Sequence, residues 1–195
     1  QSALFDFQQN AVKIAAKHLN NDKRNGAMIG DVVGLGKTIT ACAIAKIYEM
    51  TYASSTLIIC PANLQDMWAK YKQKYDLKAD IVSMQKPIDV ENTWNYRLII
   101  VDESHNLRNS SGKRYHNIQE LIHKLDCKTL LLTATPYNKD FSDLANQLKL
   151  FLVSAQKLTS KVWEASESFS ASIATSTSAA SNHLNKATRL MTGTN

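Results

Sequence analysis

Five short apolar runs dominate this chain: AMIG (27–30), TLIIC (56–60), the weaker ADIVS (79–83), RLIIVD (97–102) and KTLLLT (128–133). A strand wetted on one face alternates apolar with polar residues. These runs are nearly continuous, so both of their faces must be covered. Between them lie stretches with helical spacing. Phe7, Ala11, Ala15 and Leu19 share one face, with Val12 beside it. Leu64, Met67, Trp68, Tyr71 and Tyr75 form a second stripe, and Tyr115, Ile118, Leu121, Ile122 and Leu125 a third. Lys37 to Met50 is apolar almost all round, which predicts a buried helix. DFSDLANQLKLF (140–151) also reads as helical. Strands alternating with helices specify an α/β fold, a mostly parallel sheet with helices on both faces.

In such sheets ligands sit at the carboxyl ends of the strands. Here those ends are Gly30–Thr38, the residues after Cys60, Asp102–His105 and Thr133–Thr135, and the chemically unusual residues lie there. In IGDVVGLGKT (29–38), Gly34 and Gly36 let peptide N–H groups approach a phosphate closely. A helix starting at Lys37 aims its unpaired N–H groups and positive dipole end at that phosphate. Lys37 reaches the β- and γ-phosphates, and the Thr38 hydroxyl suits Mg²⁺. The loop departs from the strict G-x-x-x-x-G-K-[ST] pattern, which would place glycine where Asp31 stands. A carboxylate facing phosphates would repel them, so Asp31 is expected to point away and bond to loop backbone or a neighbouring side chain. The bland alternative is a glycine-rich strand-to-helix turn with a surface lysine.

LIIVDESHN (98–106) ends a buried strand in two adjacent acids. Carboxylates there are costly without a cation or donors. Asp102 suits Mg²⁺ held through its water shell, and Glu103 suits a base that orients and deprotonates water. A solvated acidic turn or helix cap is the competing reading. In LLLTATPYN (130–138), the hydroxyls of Thr133 and Thr135 could relay a change at the acidic turn, or simply end a strand. The acidic turn and the threonine pair are each weak signals alone. Together with the glycine loop, in this order, each at a strand end, they point to a nucleotide-hydrolysing site.

Other features bound the reading. The net charge of +6 permits an anionic partner without requiring one. Cys42, Cys60 and Cys127 are odd in number and widely spaced, which fits neither a disulfide framework nor a metal knuckle. No apolar run reaches membrane-spanning length and no leader precedes the first helix, so no membrane partner and a cytoplasmic location are expected. The chain opens on Gln1, the expectation for a piece of something longer. Residues 1–152 form the expected α/β domain. Residues 153–195 are rich in Ser and Thr but keep helical spacing at Leu158, Val162, Ala165, Phe169 and Ile173, and again at Ala180, Leu184, Ala187 and Met191. Two amphipathic helices are expected there, opening an insertion before a further domain.

GDVVGLGKT, LIICPANLQDMWAKYKQKY, VDESHNLRN and LLLTATPYNKDFSDLANQLKLF together resemble the first RecA-like lobe of a superfamily 2 helicase, closest to the Swi/Snf-like ATP-dependent DNA translocases. The resemblance extends over residues 4–152. That group carries Asp at the position of Asp31, so the misfit is part of the likeness, whereas Ser104 replaces the group's usual Ala. The resemblance implies a P-loop NTPase lobe that uses ATP and Mg²⁺. Gly34, Leu35, Gly36, Lys37 and Thr38 would bind ATP, Thr38 and Asp102 the metal, and Lys37, Asp102 and Glu103 would carry the chemistry. It adds Gln8 as the adenine-reading glutamine, with Gln9 as the alternative. It also adds His105 as the link between the acidic turn and Thr133 and Thr135. Pro61, Ala62 and Asn63 would touch nucleic acid, and IVSMQK (81–86) faintly resembles the family's next nucleic-acid motif; the lysines at 70, 72 and 74 read as a solvated face. The implied partners are DNA, duplex by the family's habit, and a second RecA-like lobe supplying an arginine finger, without which this piece would be nearly inactive. A motor subunit of a restriction or phage-defence complex shares these motifs. A nucleotide-gated interaction module or P-loop kinase is the alternative from another class, though no arginine-rich lid is present.

Overall fold

The computed structural model describes residues 4–21, 25–30, 34–88, 96–136 and 141–152. Asp31 and the expected helices of 153–195 lie outside the described residues.

Five strands form one sheet in the order β1-β5-β4-β2-β3. They are β1 (Gly26–Gly30), β2 (Ser55–Cys60), β3 (Ala79–Ser83), β4 (Tyr96–Val101) and β5 (Lys128–Thr133), and every pairing is parallel. The helices are α1 (Asp6–Leu19), α2 (Lys37–Tyr52), α3 (Gln65–Lys74), α4 (Lys113–Leu125) and α5 (Phe141–Leu148).

The period-two geometry of a strand sends neighbouring side chains to opposite faces, and the two cores follow it. Ile58, Cys60, Leu98, Ile100, Leu130 and Leu132 pack with α1, α2 and α3. Leu57, Ile59, Ile99, Val101 and Leu131 pack on the other face with α4 and the Leu150–Phe151 segment. Ile99, Ile100, Leu130 and Leu131 are fully buried, each contributing roughly 1.5–3 kcal/mol of apolar burial. This is the sequence-based expectation, realised as an all-parallel sheet.

Two helices differ in detail from their patterns. The buried face of α1 is Gln8, Val12, Ala15 and Leu19, while Phe7 is 48% exposed and stacks on Phe5. The helix is turned so that a glutamine, not a phenylalanine, faces inward, because Gln8 has partners there. Helix α2 is not buried all round: Ile47, Met50 and Tyr52 are exposed, beyond the reach of its neighbours α1 and α3.

Candidate active site

The parallel register brings the strand ends into one row. Gly30 lies opposite Thr133, and Cys60 opposite Ser83. All the segments expected to carry chemistry leave the sheet along this row.

At the end of β1, Gly34 and Gly36 have φ of +93° and +82°, a left-handed region that side chains resist. Leu35 is exposed between them. Gly36 caps α2 without a side chain, and the first turn of α2 carries no acid. Its leading N–H groups therefore have no side-chain cap, an arrangement that suits an anion. Lys37 and Thr38 are the first two residues of that helix.

Gln8 supports the loop from α1. Its Nε2 donates to the Leu35 carbonyl at 3.2 Å, and its Oε1 accepts the Phe5 N–H at 3.1 Å. A Cβ on Gly36 would overlap Gln8 Nε2. Gly36 is thus constrained twice, by backbone angle and by space. Gln9 instead bonds the Leu4 carbonyl at the surface, so of the two glutamines it is Gln8 that sits at the loop.

At the end of β4, Asp102 is 6% exposed. Its Oδ2 accepts the Trp68 indole N–H at 2.8 Å and its Oδ1 accepts the Glu103 N–H at 2.9 Å. Burial holds this carboxyl above the ordinary carboxylate range. The two hydrogen bonds and the Lys37 charge pull it back, while the Glu103 charge pushes it further up.

Glu103 has φ 50° and ψ 46°, a left-handed backbone costing roughly 1–2 kcal/mol for a residue with a side chain. Its Oε2 is buried and lies 3.0 Å from His105 Nδ1, and among the described residues no hydrogen bond satisfies it. The same His105 Nδ1 is 3.3 Å from Thr133 Oγ1, which in turn accepts the Thr135 N–H at 3.2 Å. Glu103, His105, Thr133 and Thr135 form one connected series. Thr133 is fully buried, whereas Thr135 is exposed.

Ser104 is fully buried. Its hydroxyl donates to Gln147 Oε1 at 2.8 Å, and Gln147, also fully buried on α5, donates to the carbonyls of Pro136 and Asp143. Beyond β2, Pro61 is buried while Ala62 and Asn63 are exposed. The Ala62 N–H and the Ser83 hydroxyl both donate to Gln85 Oε1, at 3.0 and 2.6 Å. Gln85 thereby ties Pro61–Asn63 to the IVSMQK segment. On α3, Lys70 and Lys74 are solvated, Lys74 lying 5.3 Å from the Tyr75 ring centre.

Sequence reasoning missed three of these residues: Trp68, Gln85 and Gln147. The one available signal was chemical. A tryptophan in a core stripe needs an acceptor for its N–H, but which acceptor is a matter of tertiary structure.

Magnesium fits the donor set. It takes hard oxygen ligands and keeps several waters. Among the described residues no three His, Cys, Asp or Glu side chains gather as a metal cluster. A cation here would rest on Asp102 and Thr38, completed by phosphate and water oxygens. Among the described residues, no helix is long and apolar enough to cross a membrane.

A parallel five-stranded sheet with a glycine loop and an acidic turn on its carboxyl edge defines a RecA-like α/β lobe. Comparison narrows the class: the SNF2-related domain model matches residues 7–86 and 78–192, and the chain belongs to that family. The match runs past residue 152, into the Ser/Thr-rich segment. Over 151 residues the chain is 34% identical to the uncharacterized ATP-dependent helicase YqhH of Bacillus subtilis, covering 66% of this chain and 27% of that protein. It is 27% identical over 165 residues to the mouse DNA annealing helicase and endonuclease ZRANB3, covering 70% of this chain and 15% of the other. The chain therefore spans about a quarter or less of these relatives. In fold it is similar to the Sulfolobus solfataricus SWI2/SNF2 ATPase core solved in complex with dsDNA, with a TM-score of 0.65 and 18% identity over 77% of this chain and 36% of that one.

Proposed function

We propose that this chain is the ATP-binding lobe of a DNA-dependent ATPase that couples hydrolysis to movement along duplex DNA. The observation that carries the reading is the meeting of the glycine loop and the acidic turn. The loop follows β1 and the turn follows β4, and both leave the same carboxyl edge of the parallel sheet with only β5 between them. Family membership and DNA-acting relatives support it. They also favour a motor over a nucleotide-gated module or a P-loop kinase.

The residues divide the work. Gly34, Leu35 and Gly36 would cradle the phosphates with backbone N–H groups at the start of α2, and Lys37 would neutralise their outer oxygens. Gln8 braces this cradle and would read the adenine. Thr38 and Asp102 would hold Mg²⁺, which when bound polarises the phosphoryl oxygens. Glu103 would take the proton of the attacking water as the water oxygen bonds the γ-phosphorus and ADP departs; its unsatisfied Oε2 is suited to accept that proton. His105 and Thr133 would relay the state of the acidic turn to Thr135. Ala62 and Asn63, braced by Gln85, would face the nucleic-acid backbone. A second RecA-like lobe would close the cleft and supply an arginine, worth on the order of 10³–10⁵ in rate.

The test is ATP hydrolysis by the full-length protein with and without duplex DNA. Wild type should be stimulated. Lys37→Ala and Glu103→Gln should each lower turnover by about 10²–10⁴. Unchanged turnover in both variants would sink the assignment.

A further inference from the structure

We propose that Trp68 is a positioning residue for Asp102, fixing the metal-holding carboxylate to the helix that follows the nucleic-acid-facing turn. This rests on the function proposed above.

Three observations carry it. First, the contact is direct and buried. Trp68 is fully buried, and its indole N–H donates at 2.8 Å to an Asp102 that is itself 6% exposed. In such surroundings an unmade hydrogen bond is expensive, so the pair is held. Second, the bond completes the restraint of the carboxylate. Oδ1 is held by the Glu103 N–H of its own turn and Oδ2 by Trp68, 34 residues away. With both oxygens anchored, the group cannot turn about its Cβ–Cγ bond, and its remaining lone pairs are fixed in direction. A ligand held in its binding geometry loses less freedom when the metal arrives. Third, Trp68 stands on α3, which begins one residue after the short 3-10 turn Ala62–Leu64. Gln85 anchors that turn through the Ala62 N–H. Direct contacts therefore run from the Gln85–Ala62 edge through α3 to Asp102.

The double ring fills space in the first core, which an apolar residue could do as well. Its N–H does something else, because it is aimed at the buried Asp102 carboxylate. Removing only that N–H therefore separates packing from positioning.

The experiment uses full-length protein and a fluorescent ATP analogue, followed by anisotropy in EDTA and across a Mg²⁺ titration. Trp68→Phe should raise the Mg²⁺ half-point by about 10-fold, the size seen when groups orienting a metal ligand are lost. Binding in EDTA should stay at the wild-type level, since the phosphate cradle is untouched. Met67→Ala, a packing change in the same stripe, should lower thermal stability without moving the half-point. If Trp68→Phe does not fold, a benzothienyl side chain installed at position 68 keeps the ring shape and deletes only the N–H; it should give the same shift. A wild-type half-point in the folded variant overturns the proposal. A wild-type protein that binds no analogue overturns the function beneath it, and the proposal with it.

Discussion

The two faces of the sheet hold the candidate site in different ways. From the face covered by α1, α2 and α3, single polar side chains reach the chemical parts themselves: Gln8 the glycine loop and Trp68 the Asp102 carboxylate. From the face covered by α4 and α5, a network grips the backbone of the turns. Ser104 bonds Gln147, Gln147 bonds the Pro136 carbonyl, the Asn146 amide bonds the Arg108 carbonyl at 2.9 Å, and Tyr115 bonds the Asn146 carbonyl at 2.8 Å. The first face holds the glycine loop and the Asp102 carboxylate directly. The second sets where the turns stand. Changes on the first face should therefore alter nucleotide and metal handling, and changes on the second should show first in stability.

The sharpest break would come at Gly36. Alanine there meets both the left-handed backbone and Gln8, so nucleotide affinity should fall by more than tenfold, while the roughly 1–2 kcal/mol of backbone strain lowers the melting temperature by a few degrees, as read by isothermal titration and thermal unfolding. On the opposite face, Ser104→Ala should cost about 1–3 kcal/mol in urea unfolding by leaving the buried Gln147 oxygen without its donor. The double variant Ser104→Ala, Gln147→Leu should cost less than the sum of the singles, because two apolar groups replace a bonded pair. Additive costs would mean the pair is not coupled.

A smaller effect is expected at Gln8. Its alanine variant loses one hydrogen bond to the loop, worth about 1 kcal/mol, and KM for ATP should rise several-fold with kcat nearly kept. A matching loss of stability with unchanged KM would move Gln8 from loop support to mere core packing. The mildest difference concerns alkaline pH. Burial pushes Cys42 and Cys60 on the first face up to about 12, and Cys127 on the second up to about 11, from 9.0. Above pH 9 the unfolded thiols lose protons that the folded ones keep, so stability falls as pH rises from about 9 towards 12. Iodoacetamide should leave all three unmodified at pH 8 until urea unfolds the chain.

The strands and their cover were readable because continuous apolar runs report burial on both faces directly. The positions of Lys37, Asp102, Glu103 and Thr133 followed from the rule that strand ends carry chemistry. What remained hidden shares one cause. Trp68 and Gln147 are polar groups buried for the sake of partners far away in sequence: 34 residues separate Trp68 from Asp102, and 43 separate Gln147 from Ser104. A hydrophobic count scores a glutamine as surface, which is why α1 was expected to face inward with Phe7. It scores a tryptophan as core and says nothing of its N–H. The exposed side of α2 at Ile47 and Met50 was misread for the converse reason, since apolar residues do not by themselves guarantee a covering neighbour.

The central claim is that the loop at 34–38 and the turn at 102–103 serve one bound nucleotide in two roles, holding and cleaving. Isothermal titration of Mg²⁺-ATP into Lys37→Ala and Glu103→Gln of the full-length protein, alongside turnover measured on the same samples, separates those roles. The account predicts weakened binding in Lys37→Ala, and near-wild-type binding with turnover lost in Glu103→Gln. Wild-type binding in Lys37→Ala, or full turnover in Glu103→Gln, would contradict it.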